Sequence, residues 1–354
     1  MSTIVEAPLK SVKKSFEYYT FGLLKCLVKK TCTGMAVSLS VTHDSVYRFL
    51  NSKISFEEVF TSMMIRVIDY YSRGNSGFLI IDDTAIPKIF SRVMTGVGLV
   101  YDSCLGRPNK GYAIVVLVWS NGKIVLPIAF QFWFSKDVVD EKDRRKKSEI
   151  SQDLLIKYGK KVLHNFVLLD GLYCSANMIN FLNEKLFKFE MRIARNRIVT
   201  INGKTCRIDT HPELRLSRNS RSKIVKGHWQ GIELYFTADK RINKNNEYEI
   251  VFQISNMNIS SEEHVDNYKR RWGIEKFFRT SKQKLGLGDC QSRDIEKQRG
   301  HIYAVFYVFA LIQIIKIDNN LDCSEDVIKQ LRNAKPNTLT QSIQALNQLF
   351  AYVT

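Results

Sequence analysis

Four side chains suited to phosphate chemistry stand close together: Tyr268, Arg271, Glu275 and Lys282, spaced Tyr-x2-Arg-x3-Glu-x6-Lys. At about 100° per residue, one helix would bring them within an arc of roughly 60°. Such a face shows a phenol, a guanidinium, a carboxylate and an ammonium in a row. A carboxylate that holds a metal, flanked by cations that hold phosphates, is what phosphodiester chemistry requires. A solvated helix surface uses the same residue types, because Arg271–Glu275 and Glu275–Arg279 are i,i+4 pairs that steady any exposed helix. Upstream acids shift the balance. The apolar run from Gly77 ends in Asp82 and Asp83, and the run from His164 ends in Asp170. Both read as buried strands with an acid at the carboxyl end, where α/β folds place ligands. One of Asp82 and Asp83, together with Asp170 and Glu275, would supply hard oxygen donors suited to Mg²⁺ or Mn²⁺. Acids at strand ends also cap helices and form turns, so none of them carries this reading alone.

The chain has 354 residues with 45% hydrophobic side chains, enough for a packed core. Lys and Arg number 53 against 35 Asp and Glu, a net charge of +18. That excess favours a polyanionic partner, most simply nucleic acid. No basic amphipathic helix is dedicated to a membrane surface. The apolar run His301 to Ile315 is too short to span a bilayer and reads as a buried helix. The seven cysteines are scattered and odd in number, with no Cys-x-x-Cys, which fits reduced thiols in a cytosol. The six dispersed histidines give no zinc spacing.

Positioning falls to five regions. Residues 1–72 read as helical. Within them Ser38 to Leu50 is similar to the recognition half of a helix-turn-helix, with Thr42 or Asp44 as cap and Val46, Phe49 and Leu50 inward. A purely structural helical hairpin fits it equally. Residues 73–187 form the first part of an α/β core. There Gly111–Ser120 and Lys123–Phe134 flank the hairpin turn Asn121-Gly122, and Ser175 caps a helix after Asp170. Residues 188–258 read as a small basic β-rich insertion, with Arg215, Arg218 and Arg221 among its cations. Residues 259–316 resume the core with the four-residue pattern and an apolar helix. Residues 317–354 are a helical tail.

With these residues in place, the chain resembles the DDE transposases of bacterial insertion sequences, in the IS-four-type subgroup marked by a Tyr-Arg-Glu-Lys pattern. That pattern is complete at Tyr268, Arg271, Glu275 and Lys282. The family's first Asp lies in an Asp-Thr step, which maps it to Asp83 before Thr84; its second maps to Asp170 in Asp170-Gly-Leu-Tyr173. The likeness covers about 77 to 310. It implies a ribonuclease-H-like core interrupted by a β insertion, with Asp83, Asp170 and Glu275 as the catalytic, metal-binding acids and Mg²⁺, replaceable by Mn²⁺, as cofactor. It implies cut-and-paste transposition, with the enzyme cutting the terminal inverted repeats of its own element and joining them to target DNA. A homodimer in the synaptic complex and a cytoplasmic, nucleoid-associated location follow. Arg271 and Lys282 would hold phosphates near the scissile bond, and Tyr268 would orient one. An insertion Trp receives a flipped base in this family; Trp229 is the residue available, and a core Trp on a strand fits it as well. Two other functions share these features: a non-catalytic DNA-binding protein derived from a transposase, and a structure-specific nuclease that joins nothing.

Overall fold

The computed structural model describes residues 3–102, 105–243 and 245–333. Four helices come first: α1 (Thr3–Lys25), α2 (Cys32–Leu39), α3 (His43–Leu50) and α4 (Phe56–Tyr71). Thr31, Thr42 and Ser55 cap the last three, each accepting a backbone N–H of the first turn. Val46, Phe49 and Leu50 of α3 are buried, as the apolar spacing predicts.

Strands β1 (Phe78–Pro87), β2 (Gly98–Asp102), β3 (Arg107–Ser120) and β4 (Val125–Trp133) follow, then α5 (Lys147–Lys157), β5 (Val167–Leu169) and α6 (Ala176–Glu184). Next come β6 (Phe189–Ile193), β7 (Ile198–Ile201), β8 (Lys204–Arg207), β9 (Ser222–Trp229), β10 (Ile232–Ile242) and β11 (Tyr248–Ser255). The chain continues through α7 (Ser261–Lys269), α8 (Trp272–Gln283), α9 (Ile295–Asp318) and α10 (Ser324–Asn333). The expected tail helix is described only as far as residue 333; the rest of that expectation lies outside the described residues.

The strands form one sheet in the order β2-β3-β1-β5-β6-β11-β10-β9-β7-β8, with β4 on the far side of β3. β1 pairs antiparallel with β3 and parallel with β5, and β5 pairs parallel with β6. The strands expected in a separate insertion therefore extend the core sheet, since β6 sits beside β5 and β11 beside β6. The alternating apolar runs were legible, but their pairing partners depend on contacts remote in sequence.

Helices cover both faces of the β1 region, which explains why Phe78 to Ile81 are all buried. On one face lie α4, α8 and α9, joined by an aromatic cluster: Phe130 of β4 meets Tyr303 and Phe306 of α9, and Phe277 of α8 meets Phe306 and Phe309. On the other lie α5 and α6. α9 spans 24 residues and is long and apolar enough to cross a membrane, more than the apolar run alone suggested, yet 83% of its most apolar window is buried in the protein. Among the described residues it is the central core helix.

Candidate active site

The pleat of β1 sends successive side chains to opposite faces. Phe78 lies under the Arg270 guanidinium, and Ile80 approaches Gly273 of α8. Asp82 continues this series. Leu79 instead packs against Gly159, on the α5 side, and Asp83 shares that parity. In the β1–β5 register Ile81 sits opposite Leu169, so the next residues, Asp82 and Asp170, are neighbours on the α8 face. The two adjacent acids of β1 thus serve different faces.

Asp82 Oδ2 accepts from Arg271 Nη1 at 2.7 Å, while its Oδ1 accepts the Asp83 backbone N–H at 2.9 Å. Arg271 Nη2 donates to Glu275 Oε1 at 2.5 Å. One guanidinium therefore bridges a strand acid and a helix acid, with its side chain only 16% exposed. Burial pushes the Asp82 carboxyl up to about 7; Arg271 opposes this, and Asp83 and Asp170 add to it. Burial also raises the Glu275 carboxyl, with Arg271 again opposing and Asp170 reinforcing. Asp170 thus faces both acids electrostatically, just ahead of the short turn Gly171–Tyr173.

On the opposite face Asp83 is held by Lys147 Nζ at 2.5 Å and by the Tyr173 hydroxyl at 3.3 Å. The Lys147 ammonium also lies 5.2 Å from the centroid of the Trp133 ring. The residue sharing a face with Asp170 and Glu275 is Asp82, whereas the Asp-Thr step points to Asp83 on the opposite face. Sequence reasoning missed Lys147 as a partner, because it stands at the end of a charged run with nothing to separate it from Arg144, Arg145 and Lys146.

The four-residue pattern does not lie on one continuous helix. α7 ends at Lys269 and α8 starts at Trp272, joined by i→i+3 bonds from Arg270 to Asn267, Arg271 to Tyr268 and Gly273 to Arg270. Tyr268 belongs to α7 and is 5% exposed. Its hydroxyl is buried with no hydrogen-bond partner among the described residues, and burial raises its pKa. It stands beneath Arg271, whose guanidinium carbon is 5.9 Å from its ring centroid, so direct contact with a phosphate is not its position here. α7 is anchored to β6 by His264, whose Nδ1 lies 2.5 Å from Glu190 Oε1 with both side chains buried. Lys282 is half-buried, two turns along α8 from Glu275 and on the same side.

Trp229 is 3% exposed at the end of β9, with the Arg197 guanidinium carbon 5.9 Å from its ring centroid. The exposed tryptophan is Trp272, at 54%, the residue after Arg271. Arg215, Arg218 and Arg221 are exposed, in the segment before β9 rather than among the acids.

Hard carboxylate oxygens from Asp82, Asp170 and Glu275 are the donor set a divalent hard cation takes; burial, with the Asp170 charge adding to it, raises the pKa of both Asp82 and Glu275, and a bound cation would relieve that. In this arrangement Arg271 supplies the positive charge between Asp82 and Glu275, and no group of three such side chains is within reach of one ion among the described residues.

A family model described as DDE superfamily endonuclease matches residues 9–212, more than half the chain. The protein belongs to that superfamily of DNA-cutting enzymes. A second model, described as Transposase DDE domain, matches residues 136–311, so the more particular assignment is a DDE transposase. No curated protein matches the chain.

Proposed function

We propose that this DDE transposase cuts the ends of its own insertion sequence and joins them to target DNA in a cut-and-paste reaction, using Asp82, Asp170 and Glu275. The observation that supports this reading most is the shared face of those three carboxylates, with Arg271 between two of them. Asp82, Asp170 and Glu275 would hold Mg²⁺ or Mn²⁺, and a bound divalent ion would activate water or a 3′-hydroxyl and stabilise the leaving oxygen. Arg271 makes two charged contacts in a planar fork, the geometry that also grips a phosphate, and Lys282 offers a point charge further along the same side of α8. Entry of a DNA phosphate would draw Arg271 from its carboxylates. Tyr268 supports the guanidinium from below. Asp83, tied to Lys147 and Tyr173, braces β1 from the far face.

A second reading keeps Asp83 as the strand acid, which the Asp-Thr step favours. A homodimer would bring two transposon ends together. The test is incubation of the purified protein with end-bearing DNA and a target plasmid in Mg²⁺. Cleaved ends covalently joined to the plasmid are expected. Cleavage without joining would mark a nuclease, and binding without cleavage a non-catalytic relative.

A further inference from the structure

Two basic clefts lie outside the acid face and share one residue. The first, about 640 Å³, is bounded by Arg218, Arg221, Lys240, Arg241, Tyr248 and Lys269. Its one acid, Asp239, is buried and already tied to Arg241. The second, about 340 Å³, lies behind α8 and is bounded by Lys269, Arg270, Trp272, Lys276, Arg279 and Lys316. Lys123 adds a further cation, and Asp322 and Glu325 are its acids. Lys269 borders both clefts, and its ammonium is 2.7 Å from Asp266 Oδ1.

The direction of the sheet says where this surface leads. β11 runs antiparallel to β6, so its first residue, Tyr248, stands at the edge where β5 ends beside Asp170. Phe78 and Gly122, in the second cleft, stand at the opposite end of β1. The cations therefore run from the acid edge, past the α7–α8 junction, to the other end of the core. Exposed aromatic rings sit along the way: Tyr248 at 71% and Trp272 at 54%. Cations that track a backbone, interleaved with aromatic faces, are what a nucleic-acid strand engages.

We infer that the two clefts form one continuous track for a single DNA strand, distinct from the segment held at the acids, with Lys269 at the join. The inference rests on DNA being the substrate but not on which carboxylates act. Like charges this dense repel one another at no evident benefit to the fold, and a polyanion neutralises them.

Trp272 is the most exposed of the four tryptophans: Trp119 and Trp229 are buried and Trp133 is partly buried beside Lys147, so occupancy of the second cleft is read as the part of the emission change that Trp272→Phe removes. The experiment measures quenching of tryptophan emission by single-stranded DNA of about 4 and about 16 nucleotides, lengths within the range of known strand-binding sites. EDTA is present, so cleavage plays no part. Wild type is compared with Arg218→Glu/Arg221→Glu and Lys276→Glu/Arg279→Glu, all at exposed positions, after thermal melts confirm folding. Trp272→Phe should remove most of the quench, leaving only the share of the partly exposed Trp133. Lys276→Glu/Arg279→Glu should weaken it at both lengths by tenfold or more. Arg218→Glu/Arg221→Glu, remote from Trp272, should weaken it for the long strand only and lower the salt slope by about 1.4. If that variant leaves long-strand quenching unchanged, the clefts are separate and the track is refuted. If DNA never quenches Trp272, the cleft behind α8 is no DNA surface. Either failure would leave the cleavage test under Proposed function standing.

Discussion

Asp82 and Asp83 are identical in chemistry and adjacent in sequence, yet one faces a helix guanidinium and the other a lysine across the sheet. A doubled acid after an apolar run is easy to see in the sequence. Which member points where depends on the register of β1 against its neighbours, and one residue of slip would exchange the two. Arg271 was likewise visible, as an i,i+4 partner of Glu275 and as a candidate phosphate contact, but its bond to Asp82 spans 189 positions. Because it is 16% exposed, Arg271→Ala leaves two carboxylates facing each other without a counter-charge. A loss of about 3 kcal/mol is expected in urea unfolding without metal, well above the figure for a surface ion pair. A loss under about 1 kcal/mol would show the pair to be solvated. Trp229→Phe should cost less than Trp229→Ala, the latter about 3–5 kcal/mol for an emptied core site, and neither should change DNA affinity when folded protein is titrated with end DNA.

At the scale of elements, the Thr42 cap of α3, the Ser175 cap of α6 and the Asn121-Gly122 hairpin were legible because they rest on local hydrogen bonds and turn geometry. The break between α7 and α8 was not, because no proline marks it; the helices turn where each meets a different part of the sheet. α9 is fixed against α1 by His301, whose ring accepts from or donates to the Tyr19 hydroxyl at 2.8 Å and meets the Gly286 carbonyl at 2.9 Å. With Nε2 donating to that carbonyl, Nδ1 accepts from Tyr19 and the ring is satisfied while neutral. Burial lowers its pKa from 6.5 to about 3. The unfolded chain therefore takes up a proton first as pH falls. The stability His301 contributes is present above about pH 6.5 and is lost between there and pH 3. Melting curves across that window should show a decline that His301→Gln reduces; an equal decline in the variant would assign the acid sensitivity elsewhere.

The molecule as a whole carries +18, and the charge is distributed in tracks rather than evenly. Composition alone pointed to a polyanion, but the continuity of the sheet through β6 and β11, which aligns those tracks with the acid edge, emerges only from pairing across the chain. Neutralising Arg215, Arg218 and Arg221 together should flatten the plot of log affinity for end DNA against log salt by about 2–3. An unchanged slope would remove these residues from phosphate contact.

The acid face itself is tested most directly by single-turnover cleavage of pre-bound end DNA in Mg²⁺, comparing Asp82→Asn, Asp83→Asn, Asp170→Asn and Glu275→Gln. Carboxylates that act as a unit lose nearly all activity when any one is removed. Asp82→Asn, Asp170→Asn and Glu275→Gln should each slow cleavage by about a thousandfold or more while keeping DNA affinity, and Asp83→Asn should stay within about tenfold of wild type. Cleavage that survives Asp82→Asn but is abolished by Asp83→Asn would contradict the assignment.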